Sequence, residues 1–153
     1  MIKGFNEKYR FLSNFWPVPV YVNVESGIHI FASVENAYQA LKCPQSTWDV
    51  FKACSPTKAK VLGKAGEAAS EHDRLEIMTL LNRRKYANTH LAEKLLETGD
   101  LHIEETNHWG DKFWGVCKGV GHNHMGKILM KVRDELKSGV KYEPAIFTIA
   151  DNW

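Results

Sequence analysis

Residues 111–133 read DKFWGVCKGVGHNHMGKILMKVR, and this stretch decides how the chain is understood. An acidic, aromatic segment leads into a loop with glycines at 115, 119, 121 and 126, and an amphipathic helix follows. Such a loop is expected to present backbone N–H groups and a helix N-terminus, both of which favour a bound anion such as phosphate. Two common phosphate loops do not fit. From Gly119 the dinucleotide pattern needs a third glycine at 124, where His124 stands, and a Walker loop needs Ser or Thr after Gly126-Lys127, where Ile128 stands. The helix is expected from Met125 to Lys137, with Ile128, Leu129, Val132 and Leu136 inward and Gly139 closing it.

Upstream, strand-like sequence comes first. Val18 to Val24, a Glu25-Ser26-Gly27 turn and Ile28 to Phe31 predict a short hairpin, with Pro19 marking an edge. Ser33 is a candidate N-cap for a helix over Val34 to about Lys42. Ser55-Pro56 starts a second helix that runs toward Gly63 or Gly66, with proline in the first helical position. A longer helix is expected from Asp73 to Tyr86, burying Leu75, Met78 and Leu81 or their neighbours. Thr89 is expected to cap a helix ending near Gly99, and Leu101 to Glu105 reads as a short strand. The tail over 140–153 has no clear reading. The expected fold is α+β, mainly helical, a single compact domain over 1–153 with a short hairpin near its N-terminus.

Composition narrows the function classes. At 153 residues, with 44% hydrophobic and 25% charged residues, the chain reads as one ordinary globular domain. A net charge of +2 permits an anionic ligand but does not by itself argue for nucleic acid. No apolar run is long enough to cross a bilayer, and MIKGFNEKYR lacks a signal-peptide core, so no membrane association is expected. Cys43, Cys54 and Cys117 are scattered and odd in number; they read as reduced thiols of a cytoplasmic protein.

Several residues could carry chemistry. Glu35 falls in the first turn of its helix, where the dipole stabilises a carboxylate; such a residue is also a common stabilising feature. Asn14 precedes the hairpin and suits either a ligand or a turn. His108, His122 and His124 lie near Cys117 and Asp111, but the spacing matches no zinc motif, and no metal site is expected. Arg83-Arg84-Lys85 reads as a solvated helix end. Trp48, Trp109, Phe113 and Trp114 could offer stacking faces for a planar base or could close a small core.

Taken in order, these elements form a pattern. Ser13-Asn14-Phe15, Ser33-Val34-Glu35-Asn36-Ala37-Tyr38-Gln39-Ala40-Leu41-Lys42, and Ser55-Pro56 through Ala59 to Gly63 resemble the NADAR family, also called YbiA-like. So do Thr98-Gly99, Glu104 or Glu105, Asn107, Asp111-x-Phe113-Trp114-Gly115, Gly119-x-Gly121-x-Asn123-x-x-Gly126 and Leu129-Met130-x-x-Arg133. The resemblance runs from about residue 5 to residue 137.

The resemblance implies an N-glycosidase that cleaves a C–N bond between ribose and a base. Two substrate groups are associated with the family: ADP-ribose on guanine in nucleic acid or nucleotide, and phosphoribosylamino-pyrimidine intermediates of riboflavin synthesis. It places Glu35 and Asp111 as catalytic residues. Asn14, Tyr38, Lys42, Trp114, Gly121, Asn123 and Gly126 fall on substrate-binding positions. The partner would be a small ribosyl phosphate or ADP-ribosyl compound, with ADP-ribosylated DNA or RNA as a carrier, and no cofactor is implied. A departure lies near Ser70, where some relatives carry a tryptophan. The alternative is a non-catalytic module that binds ADP-ribose or NAD-type nucleotides.

Overall fold

The computed structural model describes residues 1–67 and 70–142. In chain order these form β1 (Ile2–Lys3), β2 (Val20–Val24), β3 (Gly27–Phe31), α1 (Val34–Leu41), α2 (Asp49–Lys52), α3 (Pro56–Leu62), α4 (Glu71–Lys85), α5 (Thr89–Glu97), β4 (Ile103–Glu104), β5 (Thr106–Asn107), β6 (Val116–Cys117) and α6 (His124–Lys137). The class is α+β, mainly helical, as expected. The contacts divide the chain into two interleaved units: one takes Met1–Ser13 and Asn88–Lys141, the other Asn14–Ala87 and Tyr142. The expected tail lies outside the described residues from 143 onward.

The unit that begins at Asn14 is built on the expected hairpin. β2 and β3 pair antiparallel from Val20↔Phe31 to Val24↔Gly27. Val20, Val22 and Val24 are buried, alternating with half-exposed residues, so a single face carries the core. Pro19 stands just before the first ladder residue, where its missing N–H costs nothing. Trp48 belongs to this core: its ring meets His29 and Phe31 edge-on, and its indole N–H donates to Cys43 O at 3.2 Å. It is therefore a packing residue and presents no stacking face to a ligand.

Helix α1 begins where Ser33 Oγ accepts from Asn36 N at 3.1 Å. Every residue of α1 is buried, the polar Glu35, Asn36 and Gln39 included. Polar groups taken from water need partners, and Asn36 has them: its Nδ2 donates to Phe51 O at 2.7 Å and Cys54 O at 2.8 Å. Ser55 caps α3 through Lys58 N, with Pro56 in the first helical position.

Helix α4 starts earlier than expected because Ser70 Oγ caps it through Asp73 N. Its buried stripe is Ile77, Met78 and Leu81, with Leu75 only half-buried. The reading of Arg83-Arg84-Lys85 as a solvated end is overturned: Arg84 and Lys85 are buried. The last turn packs against β2, and Arg84 Nη1 donates to Tyr21 O at 3.0 Å. Lys85 is fully buried, with its Nζ over the Tyr86 ring, 5.3 Å from the centroid.

In the other unit β4 lies within the strand expected over Leu101 to Glu105, while β1, β5 and β6 escaped the sequence reading. β1 pairs parallel with β4, and β5 pairs parallel with β6. Two-residue ladders are too short for alternation to show. Helix α5 is capped by Asn88, whose Oδ1 accepts from Leu91 N at 3.0 Å, one residue before the expected Thr89. On α6, Ile128, Leu129 and Val132 are buried as expected, while Leu136 is half-buried. Arg133 is buried too, because Nη1 donates to Thr98 Oγ1 at 2.9 Å and Leu101 O at 2.8 Å, tying α6 to the end of α5.

Burial lowers the Lys85 pKa to about 7. The unfolded chain, with an ordinary lysine near 10.4, binds more protons than the folded one between these values, so stability rises with pH across that window. Urea denaturation should show a Lys85-dependent gain of up to about 1.4 kcal/mol per pH unit between pH 7 and 10. Lys85→Met should remove that gain; identical pH profiles for the two proteins would contradict it.

Candidate active site

Four of the expected site residues, Asn14, Glu35, Tyr38 and Lys42, lie in one unit and are held around α1. Glu35 sits in the first turn, 8% exposed. Its backbone N–H donates to Asn14 O at 3.0 Å, and Asn14 Nδ2 contacts Met78 Sδ at 3.5 Å on α4. Gln39, one turn along α1, donates from Nε2 to Glu35 Oε1 at 2.8 Å. An amide N–H on a carboxylate favours its ionised form and fixes its orientation.

The loop after α3 makes that bond possible. A Cβ at Gly63 would stand 2.0 Å from Gln39 Oε1 and 2.9 Å from its Cβ. A Cβ at Gly66 would stand 2.5 Å from Lys42 O. Two glycines three apart therefore lie against two α1 residues three apart, and Glu67 N donates to Lys42 O at 3.2 Å. The sequence reading took these glycines as helix stops, and Gly63 also as part of the family pattern.

Charge fills the space around Glu35. Burial pushes the Tyr38 hydroxyl up to about 12; the Arg74 guanidinium opposes that rise and the Glu35 carboxylate adds to it. Lys42 lies over the Tyr38 ring, 5.8 Å from its centroid. Burial lowers the Lys42 pKa, opposed by Glu35 and Cys43 and assisted by Arg74 and Lys60. Tyr38 is thus a neutral phenol near neutrality, able to donate a hydrogen bond, and Lys42 gives up its proton more readily than a free lysine. Arg74 and Gln39 were not singled out from the sequence. Arg74 had a signal: 74, 78, 81 and 85 form one helical face.

The other five expected residues, Asp111, Trp114, Gly121, Asn123 and Gly126, lie in the other unit, and most of their capacity is used in building it. Asp111 Oδ1 accepts from Phe113 N at 3.1 Å and Trp114 N at 3.0 Å, leaving Oδ2 without a partner among the described residues. Asn123, left-handed at φ 53°, donates to Ile103 O and accepts from Glu105 N, both at 2.9 Å. A Cβ at Gly121 would meet Gly115 O at 2.2 Å, and one at Gly126 would meet Ile103 O at 2.1 Å. Trp114 is half-buried, edge-on to Phe113. Trp109, 61% exposed, is the aromatic of this loop that faces water most fully.

Seven N–H groups of the expected anion cradle are bonded within the protein. His122 N, Asn123 N, His124 N and Met125 N donate to the carbonyls of Lys112, Gly115, Phe113 and Trp114. Val116, Cys117 and Val120 also spend their N–H groups on carbonyls. The glycines serve close backbone approach, and amides already bonded are poor phosphate donors. The histidines of the loop form no metal cluster among the described residues: His122 and His124 stack at 5.3 Å. His72, Asp73 and Glu76 do come together, but on the outer face near the start of α4, where the helix dipole opposes a cation.

Family membership follows. The NADAR domain model matches residues 3–137, so the chain belongs to the NADAR family, and that domain takes in segments of both units. It is 33% identical over 147 residues to a protein of Nostoc punctiforme named N-glycosidase, covering 86% of this chain and 88% of that one. It is 37% identical over 145 residues to a riboflavin biosynthesis protein of Vibrio vulnificus, covering 90% of this chain but 38% of that longer protein. In fold it is similar to the Escherichia coli protein YbiA, with a TM-score of 0.74 at 23% identity over 90% of this chain and 84% of that one. No helix among the described residues is long and apolar enough to cross a membrane.

Gly63→Ala should destabilise the protein by about 1–3 kcal/mol, the usual cost of forcing extra volume into a packed site. Position 63 has φ −67°, which alanine adopts freely, so the loss isolates the Gln39 clash. A melting temperature equal to the parent's would show that Gln39 can yield.

Proposed function

We propose that the protein is an N-glycosidase acting on the bond between the anomeric carbon of a phospho- or ADP-ribosyl group and the nitrogen of a base. The observation that carries this reading is the buried Glu35 carboxylate, oriented by Gln39. Breaking a ribosyl C–N bond builds positive charge on the sugar, and a fixed carboxylate in a poorly solvated place opposes that charge strongly. In the proposed step a water oxygen bonds to the anomeric carbon as the C–N bond breaks. Glu35 takes the proton from water, and the leaving nitrogen keeps the bonding pair and is protonated. The neutral Tyr38 hydroxyl is a donor for a ribose or base oxygen. A ligand contact by Asn14 belongs to the same proposal. The names of the Nostoc and Vibrio relatives support the bond type and one of the two substrate groups. ADP-ribosyl-guanine, free or in nucleic acid, is the other.

Lys42 favours a second route. Its lowered pKa suits attack by the neutral amine on the anomeric carbon of a ring-opened substrate; the base nitrogen leaves with the bonding pair and takes up the amine's proton, and water later cleaves the Schiff base left on Lys42. Borohydride added during turnover would then leave the sugar covalently on Lys42, detectable as a mass increase that Lys42→Arg abolishes. Direct hydrolysis leaves the protein mass unchanged.

Glu35→Gln keeps the shape and removes the charge. Product formation should fall about 100-fold or more while ligand affinity stays within a few-fold. Mass spectrometry against ADP-ribosyl-guanosine, an ADP-ribosylated oligonucleotide and a phosphoribosylamino-pyrimidine reads both the activity and the leaving base. Undiminished turnover in the variant would remove Glu35 from the mechanism. Binding without turnover by the parent protein would make it a nucleotide-binding module.

A further inference from the structure

The unit that carries the glycine loop also holds a cavity of about 270 Å³, lined by none of the residues given a part in the proposed reaction. Its wall comes from the 3-10 helix Glu7–Leu12, from the second half of α5 and from the turn after it. Two kinds of surface meet there. Tyr9, Phe11 and Leu101 are apolar, and beside them stand two ammonium groups. Lys8 Nζ lies over the Tyr9 ring, 5.1 Å from its centroid, and Lys94 Nζ over the Phe11 ring, 4.7 Å from its centroid. An exposed cation on a ring face is held less strongly than one hydrogen-bonded to an oxyanion. An anion entering the cavity can therefore draw Lys8 off its ring.

A third positive charge stands behind the wall. Arg133 is 4% exposed, and its Nη1 donates to Thr98 Oγ1 at 2.9 Å and to Leu101 O at 2.8 Å, so both acceptors are neutral groups of lining residues. Its Nε is buried with no hydrogen-bond partner. No carboxylate pairs with it among the described residues, and Asp100, the acid beside Leu101, is held by Lys137. A buried guanidinium without a counter-ion is costly, and an anion placed within its field lowers that cost. The cavity's volume lies just below the usual range of about 300–1,000 Å³ for small-molecule sites, which suits a ligand of one ring.

We infer that this cavity binds a small organic anion, a single apolar ring bearing a carboxylate or a phosphate. The ring lies against Tyr9, Phe11 and Leu101, and the oxyanion meets Lys8 and Lys94 in the field of Arg133. The Thr98 hydroxyl donates to Leu95 O at 2.6 Å, so the two ammonium groups are the donors for the ligand. Glu97, exposed on the same wall, opposes the anion through water. The site is independent of the glycosidase reading.

Titration of the full chain at low salt, followed by the amide NMR shifts of Tyr9, Leu95, Thr98 and Leu101, tests it. Benzoate and phenyl phosphate are the two anionic probes, and the tighter of them identifies the oxyanion. Neutral benzamide lacks the charge and inorganic phosphate lacks the ring, so each should bind at least about tenfold more weakly than that probe. Lys8→Gln should weaken the tighter probe about fivefold or more, and Glu97→Gln should strengthen it about twofold. Leu101→Trp, which fills the cavity, should abolish binding, and Lys118→Gln on the glycine loop should change nothing. All four side chains are exposed, so these variants should keep the parent melting temperature. Benzamide or inorganic phosphate binding as tightly as the better anionic probe would overturn the inference. So would parent affinity in Lys8→Gln, weaker binding in Glu97→Gln, or shifts that leave those four amides unmoved.

Discussion

A carboxylate removed from water survives only if something replaces the hydration it loses. For Glu35 that replacement includes the Gln39 amide, and the bond between them sets the terms for the structure around it. Gln39 must lie inside, so the segment that covers it cannot carry a side chain at position 63. The same segment must clear the backbone at Lys42, which accounts for glycine at 66. The polar face of α1 is thus a set of committed groups: Ser33 on Asn36, Asn36 on Phe51 and Cys54, Gln39 on Glu35. A helix buried on all sides normally carries apolar residues throughout. This one keeps polar residues inside by pairing them, and the ionisable groups Glu35, Tyr38 and Lys42 share that sheltered ground.

The glycine-rich loop belongs to a different economy of contacts. Its glycines permit backbone to touch backbone, at Gly115 against Glu105, Gly121 against Gly115 and Gly126 against Ile103. Asn123 completes the join, taking the left-handed conformation that asparagine tolerates and bonding to the chain on either side of Glu104. A loop can therefore look like an anion cradle in sequence while seven of its N–H groups are bonded to carbonyls. The residue types are shared between the two uses; only the count of spent donors separates them.

Much of the framework was legible because its signals are local. Ser33 and Ser55-Pro56 mark helix starts by chemistry that acts within three residues, and the Val20–Val24 alternation shows directly in the letters. Glu35 was visible as a first-turn acid within a family motif. What stayed hidden depends on distant partners. Nothing near Gly63 in the sequence announces Gln39, and Arg84 reads as a surface charge until Tyr21 O stands beside it. Lys85 ends a helix, where lysine is usual, yet the strand packed there leaves it no water. The ladders β1–β4 and β5–β6 join residues far apart through two positions each, below the reach of any periodicity.

The β1–β4 pairing has a consequence for synthesis. Ile2 waits for Ile103, so β1 leaves the ribosome roughly 100 residues ahead of its partner, an interval of about 5–20 s at ordinary elongation rates. During that interval the stretch from Asn14 to Ala87 emerges whole and already holds its hairpin and four helices. Translation itself therefore imposes a sequence of events, in which the carboxylate-bearing half can mature on the nascent chain while β1 waits for β4 to emerge.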